Sequence, residues 1–361
     1  MKLAVRFFES RAAVAHDSEA VARRYIGFLA LAFVGIFGLV WLYTASLPMA
    51  FLSRDYPAWL AKRSMIESCD LGQVAVFGDS RTMAGIEPNL LPLGGANLAF
   101  SGSSPIEAYF AVQRMLLCKT LPKTVVLAFS VGGFMSDTNY WRSSARVGIV
   151  DFAAMRDVQR ESLRLHDGEM QHLTDGEHLT PLLSEALMAA RFPSFYFGSL
   201  IDGFGFGRYL YNKRMEGKIL SARGQALFGT DAGSHDLASE TELSHFTPSP
   251  VVNYYFRSIL AEMAKRDVPV VLLSMPINDA TCQVMDSSLR PALLAYLHQA
   301  IAADPRATMV GPTMPCWPNR FFGDGFHLNA AGAERYTATV ARWLQPAEPQ
   351  TAAAAALVVE R

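Results

Sequence analysis

The stretch VAVFGDSRT, residues 74–82, decides how this chain is read. Four apolar residues end in Gly78-Asp79-Ser80, and residues compatible with a helix follow. An apolar run closed by a glycine turn predicts a buried strand feeding a helix. Runs of the same kind recur farther along at 96–100, 125–129, 269–274 and 307–310, and amphipathic stretches alternate with them. That alternation predicts an α/β fold, a parallel five-stranded sheet with helices on both faces in three α/β/α layers. The best-marked helix starts at Ser104, where Pro105 takes the first helical position and Glu107 completes a capping box. Others are expected over 252–266 and 330–344.

On the N-terminal side, no charged residue lies between Arg24 and Arg54, and residues 25–46 are almost wholly apolar. About 20 such residues cross a bilayer as a helix. Lys2, Arg6, Arg11, Arg23 and Arg24 precede the segment against three acidic residues. Positive charge on that side places 1–24 in the cytoplasm, a single transmembrane helix at 25–48 and the rest outside. The alternative is a cleaved signal peptide, whose apolar core of about 7–15 residues would be shorter than this one. At the other end, 345–361 is rich in Pro and Ala and reads as a flexible tail.

The main domain is then 53–344, interrupted between 136 and 248. That interval is too long for a loop in a compact domain and reads as a mostly helical insertion. Its middle, RFPSFYFGSLIDGFGFGRYLY (191–211), carries Phe192, Phe195, Tyr196, Phe197, Phe204, Phe206, Tyr209 and Tyr211. Core packing within the insertion, a stacking platform for sugars and a dock for a membrane partner are all open accounts of these rings.

Of the 361 residues 51% are hydrophobic and 18% charged, which excludes a disordered chain. A net charge of −1 argues against nucleic acid as a partner, since that needs clustered cations. Four cysteines are too few for a disulfide scaffold.

Gly-Asp-Ser alone would occur by chance in roughly one chain in ten of this length. Its position gives it weight, because a serine at the C-terminal end of a parallel strand stands where open α/β sheets bind ligands. A free hydroxyl is a poor nucleophile and needs a base. FFGDGFHLNAAGAERYT (321–337) supplies one, with Asp324 and His327 three residues apart on a turn before the last helix. That spacing lets the carboxylate orient the imidazole while its other nitrogen faces Ser80. The other histidines (16, 166, 172, 178, 235, 245 and 298) read as capping or packing residues. His166, His172 and His178 stand among Asp167, Glu169, Asp175 and Glu177, but a six-residue spacing does not share a helical face. We read this as solvated polar loop and expect neither a metal nor a cofactor.

With these motifs in place the chain resembles the SGNH (GDSL-like) hydrolase superfamily over roughly 71–344, with the insertion unmatched. GDS matches its first block, DGFHLN its last, and NLAFSGSSP looks like the second. The resemblance implies a flavodoxin-like fold with Ser80 as nucleophile, His327 as base and Asp324 as its orienting acid. It also implies an oxyanion hole built from the N–H groups of Ser80 and Gly102. The family's third block, Gly-x-Asn-Asp, is missing: the third strand ends in Phe129-Ser130-Val131-Gly132-Gly133. The Ser130 hydroxyl or a glycine N–H is available instead, and Arg81, in place of the leucine of GDSL, is either structural or a positive charge beside the oxyanion.

An N-terminal anchor, an outward-facing SGNH-like domain and a degenerate third block are similar to membrane-anchored proteins that O-acetylate alginate-type and cellulose-type polysaccharides. The layout also resembles D-alanyl transfer proteins of teichoic acid synthesis. The resemblance implies an inner-membrane O-acyltransferase with a periplasmic domain, an acyl-serine intermediate and a glycan acceptor. An MBOAT-type membrane acyltransferase would supply the acyl group, beside a polysaccharide synthase complex. A membrane-anchored esterase and a catalytically silent scaffold subunit remain the alternatives. An extracytoplasmic domain permits disulfides. Cys69 and Cys118 fall near the N-terminal edge of the sheet, Cys282 and Cys316 near the opposite edge, so of three possible pairings 69–118 and 282–316 are expected.

Overall fold

The computed structural model describes residues 2–345 except 54, 93, 136–143, 172–180, 204–205 and 303, with only the backbone described for 2–20, 169, 171, 181, 182, 185 and 206. His172, Asp175, Glu177, His178 and Phe204, the tail beyond 345, and the side chains of His16 and Phe206 lie outside the described residues.

Among the described residues seven strands occur in chain order: β1 (Val74–Gly78), β2 (Gly95–Asn97), β3 (Thr124–Ala128), β4 (Val270–Leu272), β5 (Ile277–Asn278), β6 (Ala307–Met309) and β7 (Cys316–Trp317). Five form one sheet in the order β2-β1-β3-β4-β6, with every pair parallel. The five apolar runs are these five strands. β5 and β7, each two residues long, pair separately and were not expected from the sequence.

Alternate residues of the central strands face opposite ways and build two cores. Ala75, Phe77, Val125, Leu127, Val270 and Leu272 face one core. Helices α2 (Asp55–Glu67), α4 (Pro105–Met115) and Pro250–Lys265 cover it. Val74, Val76, Val126 and Ala128 face the other, beneath the last helix, Ala330–Leu344. Helices therefore lie on both faces of the sheet. Helix α4 starts as expected, with the Ser104–Glu107 capping box formed.

The strand order reverses about β1. β2 leaves it to one side and β3 to the other, so a crevice opens past their C-terminal ends. Both expected disulfides are present, Cys69–Cys118 at the end of α2 and Cys282–Cys316 beside the β5–β7 pair.

Helix α1 (Lys2–Ser46) is continuous, and its Val21–Ser46 part is long and apolar enough to cross a membrane. It stops before Pro48, which has no N–H to extend it. The 136–248 interval is helical at Phe152–Arg164, Gly168–Gln171, Pro181–Ala189, Phe197–Asp202 and Phe206–Ser221. Beyond Ser221 it is irregular apart from the 3-10 turn Ser239–Glu242. Within the stretch read as solvated loop, His166 is exposed but Asp167 is not. It is buried and accepts from the Ser249 hydroxyl at 2.6 Å and the Val251 N–H at 3.1 Å, so it caps the Pro250–Lys265 helix. Among the described residues no cluster of possible metal ligands occurs.

Candidate active site

Gly78 closes β1 because nothing larger fits: a Cβ there would lie 2.0 Å from the Ala128 carbonyl and against the Thr82 side chain. Asp79 then caps α3 (Ser80–Gly85), with one carboxylate oxygen accepting from the Arg81 N–H at 3.0 Å. Its other oxygen accepts from the Ser130 N–H at 2.7 Å and ties the ends of β1 and β3 together. Thr82 adds a bond to the Ala128 carbonyl at 2.6 Å. Buried Asn97 donates to the carbonyls of Thr82 and Ile86 and accepts from the Ala99 N–H. Ser80 thus sits on a turn fixed from three directions.

Asp324 and His327 lie on the loop between β7 and the last helix. Asp324 accepts from the N–H groups of Phe326 and His327, both at 2.8 Å, and Gly323 donates to the His327 carbonyl at 2.8 Å. This tight turn sets the imidazole Nδ1 at 2.8 Å from Asp324 Oδ2 and its Nε2 at 2.8 Å from Ser80 Oγ. Carboxylate, imidazole and hydroxyl form one continuous line. Burial raises the Asp324 carboxyl, but the hydrogen bond from His327 and the backbone donors outweigh it and hold the group below its ordinary value. His327 is also lowered. Burial is the main cause and the Arg81 charge adds to it, against the hydrogen bond and charge of Asp324. The ring is therefore neutral at neutral pH and can accept the Ser80 proton.

Gly102 lies two residues beyond Phe100, whose N–H bonds to the Gly78 carbonyl, so its turn stands beside Ser80. Its φ of +68° is a conformation in which a side chain would be strained. The N–H groups of Ser80 and Gly102 have no hydrogen-bond partner among the described residues. Both remain free to meet a developing negative charge.

Ser130 and Arg81 are placed differently from that pair. The Ser130 N–H is taken by Asp79, which leaves its hydroxyl as the group it can offer. Arg81 is buried and points to Glu240, with Nη2 2.6 Å from Oε2 and side chains only 6% and 2% exposed. Its guanidinium lies 5.4 Å from the Phe326 ring centroid. The structural alternative for Arg81 is the one its contacts support, though its charge still acts on His327.

Two contributors escaped the sequence reading. The Phe228 ring lies 4.4 Å from the imidazole centroid at an interplanar angle of 30° and so covers one face of it. Glu240 neutralises Arg81. Both come from the irregular 222–249 stretch. Among the described rings of 191–211, Phe192 packs on α1, Tyr196 is buried in the main core, and Phe197 and Tyr211 are exposed.

No protein-family model matches the chain, and no curated protein sequence matches it.

Proposed function

We propose that this chain is an SGNH-like, membrane-anchored O-acyltransferase of flavodoxin-like topology that modifies an extracytoplasmic glycan through an acyl-Ser80 intermediate. The observation that carries the reading is the unbroken Asp324–His327–Ser80 line at the C-terminal edge of a parallel sheet. Two free N–H groups beside it supply the electrostatic half of the chemistry.

In the first half-reaction Ser80 Oγ attacks the acyl carbonyl of the donor and passes its proton to His327 Nε2. The carbonyl oxygen becomes an oxyanion held by the N–H groups of Ser80 and Gly102, with the Ser130 hydroxyl as the third donor in place of an asparagine. Collapse expels the donor's alcohol or thiol, which takes the proton back from His327. In the second half-reaction a sugar hydroxyl gives its proton to the same nitrogen, attacks the acyl-serine and regenerates Ser80. Asp324 stays ionised throughout and stabilises the imidazolium.

The apolar Val21–Ser46 helix supports a membrane anchor. In this proposal the anchor lies in the inner membrane with the domain on the periplasmic side, next to an MBOAT-type donor protein and a glycan synthase. A competition between p-nitrophenyl acetate and soluble oligosaccharides, read by mass spectrometry, tests the proposal. Acyl-Ser80 and acetylated sugar are expected. Ester hydrolysis with no acetylated sugar across several glycans would make the protein an esterase. No reaction, with normal polysaccharide acetylation in a Ser80→Ala strain, would make it a silent subunit.

A further inference from the structure

Residues 190–192 pack along the apolar helix, while Tyr196 just after them anchors the segment in the main core. Trp41 Nε1 donates to the Ala190 carbonyl at 2.9 Å and the Thr44 hydroxyl to the Arg191 carbonyl at 2.7 Å. The Phe192 ring lies 5.3 Å from Phe37 and 5.1 Å from Trp41. At 1.5 Å per residue, Phe37 stands about 13 Å along the helix from its end at Ser46. Part of the folded domain therefore descends well alongside the apolar segment.

The short helix that follows, Phe197–Asp202, turns apolar groups outward, with Phe197 66% and Ile201 62% exposed. Leu200 and Ile201 face Leu39, Val40 and Tyr43 across an open, almost wholly apolar groove of about 630 Å³. Leaving such a face in water forfeits the gain of burying it, and it is continuous with the apolar surface of α1. Where the apolar segment ends, Arg191 and Lys213 with Tyr56 and Tyr209 line a second, polar pocket of about 370 Å³ against residues 45–49. Cations and tyrosines above an apolar wedge match the vertical order of a leaflet, headgroups over acyl chains.

We infer that residues 190–203 are seated in the leaflet on the domain's side of the membrane, with phospholipid acyl chains filling the groove between α1 and Leu200/Ile201. This rests on reading 21–46 as a membrane span and not on the acyl-transfer chemistry. The seat has a consequence for the site. Asn212 of the Phe206–Ser221 helix donates to the carbonyls of Met49 and Leu52 at 2.8 and 2.6 Å, beside the end of α1. Past that helix, about 24 Å long, the Arg223 carbonyl accepts from the Asn97 N–H next to the Ser80 turn. A domain held by α1 alone could tilt freely, whereas one seated at 190–203 as well holds the Ser80 edge at a set height.

The test uses the full-length protein carrying p-benzoylphenylalanine at one of four exposed positions. Leu31 reports the span, Phe197 and Ile201 the seat, and Leu117, at the far end of α4, the surface away from it. Each form is placed in nanodiscs of phosphatidylethanolamine and phosphatidylglycerol, irradiated and weighed intact. Lipid adducts are expected at Leu31, Phe197 and Ile201 within about threefold of one another and about tenfold above Leu117. Adducts at Leu31 with none at Phe197 or Ile201 would overturn the seat and leave the span standing. No adduct at Leu31 would remove the span and the seat with it. Cross-links from Phe197 or Ile201 to a second copy of the chain would give the groove a protein occupant and overturn the lipid one, and equal labelling at Leu117 would also refute it.

Discussion

Two kinds of chain meet at the candidate active site. Ser80 stands on a strand–turn–helix junction within 74–85, and Asp324 and His327 share one turn of four residues. The groups that bury and neutralise this machinery come from elsewhere. Phe228 covers His327, and Glu240 pairs with Arg81 from 159 residues away. The first kind is held by short, directional hydrogen bonds to the backbone, some between neighbours in sequence and some from the adjoining strands. The second acts through burial and charge, which any suitable side chain can supply from any distance along the chain. Each half of the candidate triad is local in sequence, whereas its cover and its counterion come from far along the chain.

The largest effects are expected on the local side. Ser80→Ala should remove acyl labelling and lower any turnover by about 10⁶-fold, since a nucleophile has no substitute. Asp324→Asn should cost about 10⁴-fold with the fold unchanged, because the amide cannot stabilise an imidazolium. Steady-state rates with an activated ester, beside circular dichroism spectra of each variant, measure both. An activity loss of only a few-fold in Ser80→Ala would break the comparison by removing its chemical half.

On the distant side the expected losses are in stability. Glu240→Gln leaves the Arg81 guanidinium buried without a counterion and should cost about 3–5 kcal/mol, read as a lower urea midpoint. The double variant Arg81→Met/Glu240→Leu removes both charges and should recover most of that loss. If Glu240→Gln unfolds no more easily than the parent, the pair is not what holds the 222–249 stretch over the site.

The same division explains what could be read from sequence. The five sheet strands were legible because each is a short apolar run, and the disulfides because each cysteine's place follows from the strand beside it. Strand ends were less so. The second run, 96–100, is regular strand only over Gly95–Asn97: the Leu98 and Phe100 N–H groups still reach Val76 and Gly78, but the Ala99 N–H turns to the Asn97 side chain as the chain bends toward the Gly102 turn. The β5–β7 pair is too short to show any period. Arg81 could be singled out as unusual, yet nothing local says which acidic residue answers a buried cation. The rings of 191–211 were open to three readings because aromatics suit a core, a ligand and a membrane edge alike.

The finest test of the comparison is the cover that Phe228 gives His327. Burial is the main reason the imidazole sits below its ordinary 6.5, so the acid limb of the rate profile, where the base becomes protonated, should fall below pH 6.5 in the parent protein. Phe228→Ala admits water to the ring. Water stabilises the imidazolium, so the His327 pKa should rise toward 6.5 and the acid limb should move to higher pH. At pH 8 the base is neutral in both proteins, and the rate should change only by about a few-fold, since Ser80, Asp324 and the two N–H groups are untouched. Phe228→Leu restores an apolar cover without an aromatic face and should return the limb most of the way. The measurement is kcat/KM for an activated ester from pH 5 to 8. A limb that stays put in Phe228→Ala, or one that moves equally in Phe228→Leu, would show that the Phe228 cover is not what lowers the base, leaving the rest of its burial and the Arg81 charge to do so.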